Sequence, residues 1–203
     1  VDLSWVDALP IGLVLFSGTL VGALRRKAGR ELARKEYPRT AADLGLRFEP
    51  SAQRFELGRM KGEVDGKSIL VSPDQGRIVI EFAEASPVLV RNYVHYKRTP
   101  PGLEPFSTGA RWADGWLQNR YCAQGLAERL HQDLLLRELL EGLKPHLGAI
   151  KQFVLEERRL ECVMHYASPE YIPGQVIREM VPALGRLAGY FGQELARKNA
   201  SGT

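Results

Sequence analysis

Trp112, Asp114, Trp116, Asn119, Arg120 and Tyr121 form the densest group of unusual side chains in the chain. Two aromatic walls with an arginine between them can grip a small anion, so Trp112, Trp116, Arg120 and Tyr121 are the candidate ligand groove. Tryptophans this close also pack one face of a sheet, and the pattern favours that reading. Gly62-Glu-Val-Asp-Gly66-Lys67-Ser68 comes near a phosphate-binding loop. That loop needs four residues between its glycines and a helix N-terminus after it. Here there are three, and Ile69-Leu70-Val71 reads as a strand, so the segment is a hairpin turn.

The histidines are His95, His131, His146 and His165, and no two have metal-ligand spacing. His131 and Asp133 are two apart on an expected helix and do not face each other. Cys162 and His165 are three apart on an expected strand and point to opposite faces. Cys122 and Cys162 are 40 residues apart and read as reduced thiols, with Cys162 in the core. Arg91-Asn-Tyr93-Val-His95-Tyr96-Lys97-Arg98 interleaves cations with aromatics, a pattern that can stack bases and neutralise phosphates. A solvated edge strand guarded by cations explains it more simply. No catalytic, cofactor or metal motif emerges, so the expected cofactors are none and the expected role is non-enzymatic.

The segment that says most about placement is Ala8–Leu24, 17 residues without a charge, followed by Arg25-Arg26-Lys27. Extended back through Val6, Trp5 and Leu3, and so including Asp7, it reaches the roughly 20 residues that span a bilayer. Trp5 suits the outer interface, and Arg25, Arg26, Lys27, Arg30, Arg34 and Lys35 suit anionic head groups on the inner side. The expectation is a single-pass anchor in the cell membrane, with the N-terminus outside and the body cytoplasmic. Gly18 and Gly22 have the spacing that lets two anchors pack, which offers a route to a homodimer.

The net charge is +4, but residues 25–35 carry +5 and residues 36–203 only +1. The basicity belongs to the flank of the anchor. The body lacks the cation excess of a nucleic-acid binder, so nucleic acid is not the expected partner.

The elements that must position these residues follow from periodicity. Residues 1–24 are the transmembrane anchor and 25–46 a juxtamembrane helical segment, kinked or split at Pro38 and ended by Leu44-Gly45. Residues 47–98 are a β-rich subdomain. Within it Phe55–Val64 and Lys67–Ser72 form a hairpin across Asp65-Gly66, and Arg77–Glu84 and Val88–Lys97 are further strands. Residues 99–110 are a connection. Residues 111–198 are an α+β subdomain: Trp112–Cys122 extended, Ala123–Leu143 one leucine-faced helix, then a hairpin of Ile150–Leu155 with Leu160–Ala167. A last helix opens at Ser168-Pro169, with a bend at Pro182, and residues 199–203 are a tail. The fold class is α+β, an N-terminal transmembrane helix followed by antiparallel strands packed with amphipathic helices.

AADLGLRF (41–48), then Gly62 and Gly66 ahead of Ile69-Leu70-Val71, then a leucine-rich helix, hairpin and helix, resemble uncharacterised bacterial single-pass membrane proteins with a cytosolic α+β body. The resemblance implies architecture and carries no active site. The expected function is a membrane-tethered cytoplasmic module that binds an unknown protein partner or the bilayer surface. The alternatives are an enzyme with dispersed residues, gathered from Trp116, Arg120, Tyr121 and a histidine, and a lipid or nucleic-acid binder using Arg91, Lys97 and Arg98.

Overall fold

The computed structural model describes residues 23–24, 27–53, 56–92, 99–166 and 171–195. Trp5, Gly18, Gly22, Arg25 and Arg26 lie outside this set, as does the uncharged run except Ala23 and Leu24. So do Tyr93 to Arg98 and the proposed Ser168-Pro169 cap. Among the described residues no helix is long and apolar enough to cross a membrane.

Helix α1 covers residues 27–43 and continues through Pro38. It stops where the sequence says it should. Gly45 takes φ 69°, the Leu46 N–H reaches the Ala41 carbonyl at 2.8 Å, and the Gly45 N–H reaches the Ala42 carbonyl at 3.1 Å. This pair of bonds satisfies carbonyls that the last helical turn leaves open.

The strands are β1 (Arg47–Glu49), β2 (Arg59–Val64), β3 (Lys67–Ser72), β4 (Arg77–Glu81), β5 (Val88–Arg91), β6 (Leu103–Pro105), β7 (Asn119–Ala123), β8 (Ile150–Glu156) and β9 (Arg159–Met164). They form a nine-stranded sheet in the order β1-β2-β3-β4-β9-β8-β5-β7-β6, with every pairing antiparallel. The late hairpin β8–β9 inserts between β4 and β5, so the ranges 47–98 and 111–198 contribute strands to the same sheet. Asp65 at φ 51° and Gly66 at φ 71° make the β2–β3 turn, as both central residues of such a turn require.

Register assigns the faces. Met60, Val71, Ile78, Cys162 and Phe153 succeed one another across β2, β3, β4, β9 and β8, and all are buried. On the other face Arg77 pairs with Glu161 at 2.6 Å, Arg159 pairs with Glu161 at 2.8 Å, and Arg91 pairs with Glu156. Helix α5 (Gly174–Gly189) contacts β4 and β9 and carries buried Ile177, Val181, Leu184 and Ala188 at three- and four-residue spacing. Pro182 lies inside it, and a π-helical turn, Tyr190–Glu194, follows. The result is the expected mixed α+β architecture, a large antiparallel sheet with helices.

Three expected elements are corrected. Trp112–Cys122 is not extended throughout: helix α2 (Arg111–Trp116) precedes β7. The pairs Trp112/Trp116 and Ala113/Leu117 have helical spacing, and Ala113 and Leu117 are the buried pair. The leucine-rich stretch is two helices, α3 (Ala127–Gln132) and α4 (Leu134–Glu141). Asp133 between them is extended, and its carboxylate accepts the Leu136 N–H at 3.0 Å and the Tyr190 hydroxyl at 2.9 Å. A capping aspartate restarts the helix at an angle while the leucine spacing runs on. The last helix begins at Gly174, not Ser168. Tyr171, Ile172 and Pro173 are not helical, because the Ile172 N–H bonds to the Pro73 carbonyl at 3.2 Å.

Candidate functional site

The seam between α1 and the body decides where the cations of residues 27–35 sit. Ala33, Tyr37, Thr40 and Ala41 recur at three- and four-residue spacing and are buried. The Tyr37 hydroxyl donates to the Ile172 carbonyl at 2.8 Å, and burial pushes its pKa far above the ordinary tyrosine value. The Tyr171 hydroxyl donates to the Gly29 carbonyl at 2.9 Å, and the Tyr37 and Tyr171 rings meet edge to face at 6.4 Å. From α5, Arg178 donates to Thr40 Oγ1 at 2.7 Å and Glu36 Oε1 at 2.9 Å, with Asp43 at 3.7 Å. Gly174 makes this approach possible, since a Cβ there would stand 2.3 Å from Glu36 Oε1.

The flank cations divide. Lys27 and Lys35 are exposed. Arg30 lies 3.9 Å from Asp74, and Arg34 donates to the Glu56 carbonyl at 3.0 Å, so these two also reach the body.

Trp112, Trp116, Arg120 and Tyr121 do not converge on one groove. Arg120 and Tyr121 are adjacent on β7 and point to opposite faces of the sheet. Trp116 packs against Phe153 with ring centres 5.2 Å apart, and Trp112 lies beneath the Lys144 ammonium at 5.1 Å. Arg120 donates to the Leu117 carbonyl at 2.6 Å and the Asp114 carbonyl at 3.0 Å, which ties down the end of α2.

Asp114 is the centre of this region, and sequence reasoning noted it without a role. Its carboxylate accepts from Ser107 Oγ at 2.6 Å, from the Thr108 N–H at 2.8 Å and from Thr108 Oγ1 at 2.9 Å, with Arg120 Nε at 3.2 Å. Desolvation pushes its pKa up, but the bonds from Ser107 and Thr108 and the Arg120 charge outweigh it, so Asp114 titrates below the usual carboxylate value. His131 Nδ1 lies 3.1 Å from Ser107 Oγ. The three residue types of a hydrolase triad are therefore adjacent, but in the wrong order. Ser107 already gives its proton to Asp114, and a nucleophilic serine must give it to histidine. The signal in the sequence is Ser107-Thr108-Gly109 ahead of Asp114, a turn that fastens the start of α2.

The remaining reactive groups have structural settings. Cys122 and Cys162 are buried and unbridged, and burial pushes their thiols up to about 11 and about 12. His165 is exposed while Cys162 is buried, so they form no nucleophile–base pair. His146 contacts Glu179 at 2.9 Å. Among the described residues no group of histidine, cysteine and carboxylate side chains could hold a metal ion.

An open groove of about 580 Å³ runs between α4, α5 and the β2–β3 hairpin, with Leu135, Leu139 and Val181 along its wall. Lys67 is buried to 7% exposure beside it and bonds the Asp65 carbonyl at 3.3 Å. Its stem lies where a Cβ on Gly189 would sit 3.2 Å away, so the aliphatic part packs on α5.

No family model and no curated protein matches this chain. Among solved structures, the crystal structure of the mycobacterial trehalose monomycolate transport factor A, TtfA, is similar at a TM-score of 0.49 and 11% sequence identity, over 77% of this chain and 92% of that one. A likeness of this degree carries no argument about what the chain does.

Proposed function

We propose that this chain is a membrane-tethered interaction module whose body is held against the cytoplasmic face of the bilayer. One observation carries the reading: α1 is fastened to the body from Gly29 onward, five residues after the uncharged run ends at Leu24. Five residues of chain reach at most about 18 Å. If the run spans the bilayer, its cationic flank and the adjoining end of the body meet the head groups together. Exposed Lys27 and Lys35 are free to face lipid phosphates, while the seam residues hold the body in one orientation.

Flotation with anionic vesicles tests the tether. The full chain is expected to float and to resist extraction by alkaline carbonate, and recovery in the soluble fraction would remove the proposal. Orientation is read by a C-terminal reporter. It should report cytoplasm in the natural sequence and lose that preference when Arg25, Arg26 and Lys27 are replaced by glutamate.

A further inference from the structure

At the end of the body where α1 enters, a cavity of about 310 Å³ is lined by Arg30, Asp74, Gln75, His165, Tyr166 and Tyr171. Two of its polar atoms, Asp74 Oδ1 and the Tyr166 hydroxyl, are buried and have no hydrogen-bond partner among the described residues. Buried polar groups are ordinarily hydrogen-bonded, so an acceptor and a hydroxyl left over on one cavity mark a place for a polar ligand. The other Asp74 oxygen accepts the Leu57 N–H at 2.5 Å, so the carboxylate is held in place with Oδ1 to spare. Arg30 stands 3.9 Å from Oδ1, close enough for ionic attraction and too far for a hydrogen bond. Tyr171 is pinned to Gly29, so the cavity stays next to the start of α1.

We propose that this cavity binds the head group of an aminophospholipid, a phosphodiester bearing a primary ammonium, in the leaflet that faces the body. The inference rests on the membrane tether proposed above. Arg30 and Asp74 make the cavity formally neutral, which matches a zwitterion better than an anion. The Arg30 guanidinium takes the phosphate, and the ammonium supplies the N–H donor that Asp74 Oδ1 lacks. Tyr166 donates to a phosphate oxygen. A quaternary choline has no N–H and leaves Oδ1 unsatisfied. A glycerol head group brings negative charge without a cation to place beside the carboxylate.

The full chain is reconstituted in nanodiscs of phosphatidylcholine mixed equally with phosphatidylethanolamine or phosphatidylglycerol, and the lipid retained on release is counted by native mass spectrometry. Phosphatidylethanolamine should be retained about tenfold over phosphatidylcholine, as one charge-assisted bond predicts. Asp74→Asn should abolish that preference and Tyr166→Phe should weaken it, with circular dichroism confirming that both variants are folded. Equal retention of the two lipids by the natural sequence, or an undiminished preference in Asp74→Asn, overturns the proposal. Glycerophosphoethanolamine titrated into the detergent-solubilised full chain separates the two ideas. If the chain fails to enter nanodiscs but this soluble phosphodiester binds and Asp74→Asn does not bind it, the tether is wrong and the ligand is a soluble one. If the chain enters nanodiscs and neither lipid preference nor head-group binding appears, the tether stands and the cavity proposal falls.

Discussion

Asp114 holds together a turn, a helix end and an arginine through one carboxylate. Replacing it with alanine removes the acceptor shared by Ser107, Thr108 and the Arg120 Nε, and is expected to cost about 2–4 kcal/mol in urea unfolding. Its pKa is lower in the folded chain than the ordinary value of about 3.8. Its contribution is therefore fully present above that value and is lost as pH falls through the folded pKa. Thermal melts between pH 6 and pH 3 should show this acid-side loss in the natural sequence and a smaller one in Asp114→Asn. The cysteines test burial directly. Cys122 and Cys162 should both resist a thiol reagent at pH 8 in the folded protein and both react in denaturant, because neither thiolate is favoured in the core. A fast-reacting thiol in the native state would contradict the packing of β7 or β9. At this scale the sequence shows the burial of Cys162 and hides the role of Asp114. An alternating strand pattern announces a buried cysteine, whereas the partners of Asp114 come from a turn whose path sequence spacing does not show.

Elements are set by local chemistry where their ends are short-range, and two glycines show the difference. Gly45 and Gly76 both take positive φ, at 69° and 64°. A Cβ on Gly45 meets nothing within 4 Å, while one on Gly76 would lie 2.0 Å from the Met164 carbonyl oxygen. Gly45→Ala should cost about 1 kcal/mol, the strain of a left-handed alanine alone. Gly76→Ala must also push β9 away, so it should exceed Gly45→Ala by at least about 1 kcal/mol in the same unfolding measurement. Equal effects would mean that the contact to Met164 is not made. The α1 stop and the β2–β3 turn were legible for the same reason: a glycine and its neighbours decide them within a few residues. The break between α3 and α4 was not, because the leucines keep helical spacing across it. Asp133 caps α4 through the Leu136 N–H, and the Tyr190 hydroxyl, 57 residues away, holds its other carboxylate oxygen.

The whole molecule depends on seams between distant segments. Arg178 on α5 is 138 residues from Thr40 and bonds it across the α1 seam. Arg178→Ala should loosen α1 without unfolding the sheet. Hydrogen exchange of backbone amides in residues 33–43 is expected to quicken by about tenfold, with β3, β4 and β9 unchanged. Uniformly faster exchange throughout would show that α1 and the sheet unfold as one unit. If α1 also carries the anchor, the same variant should let the body reorient against a membrane, readable as a change in lipid-to-protein spin-label distances.

The sequence by itself determined the strands β2, β3, β4, β5, β8 and β9, the turn at Asp65-Gly66, the end of α1, the amphipathic face of α5 and the concentration of positive charge at residues 25–35. Each of these is a local pattern, a two- or four-residue repeat or a residue suited to one backbone angle. Only the tertiary structure decided that β8 and β9 lie between β4 and β5, that Arg120 and Tyr121 part to opposite faces, and that Asp74, Tyr166 and Arg30 share a cavity. Those depend on which strand edges pair and which side chains meet across more than forty residues of chain. Many pairings are compatible with the same alternation of apolar and polar residues, and the choice among them comes from the packing of the complete core.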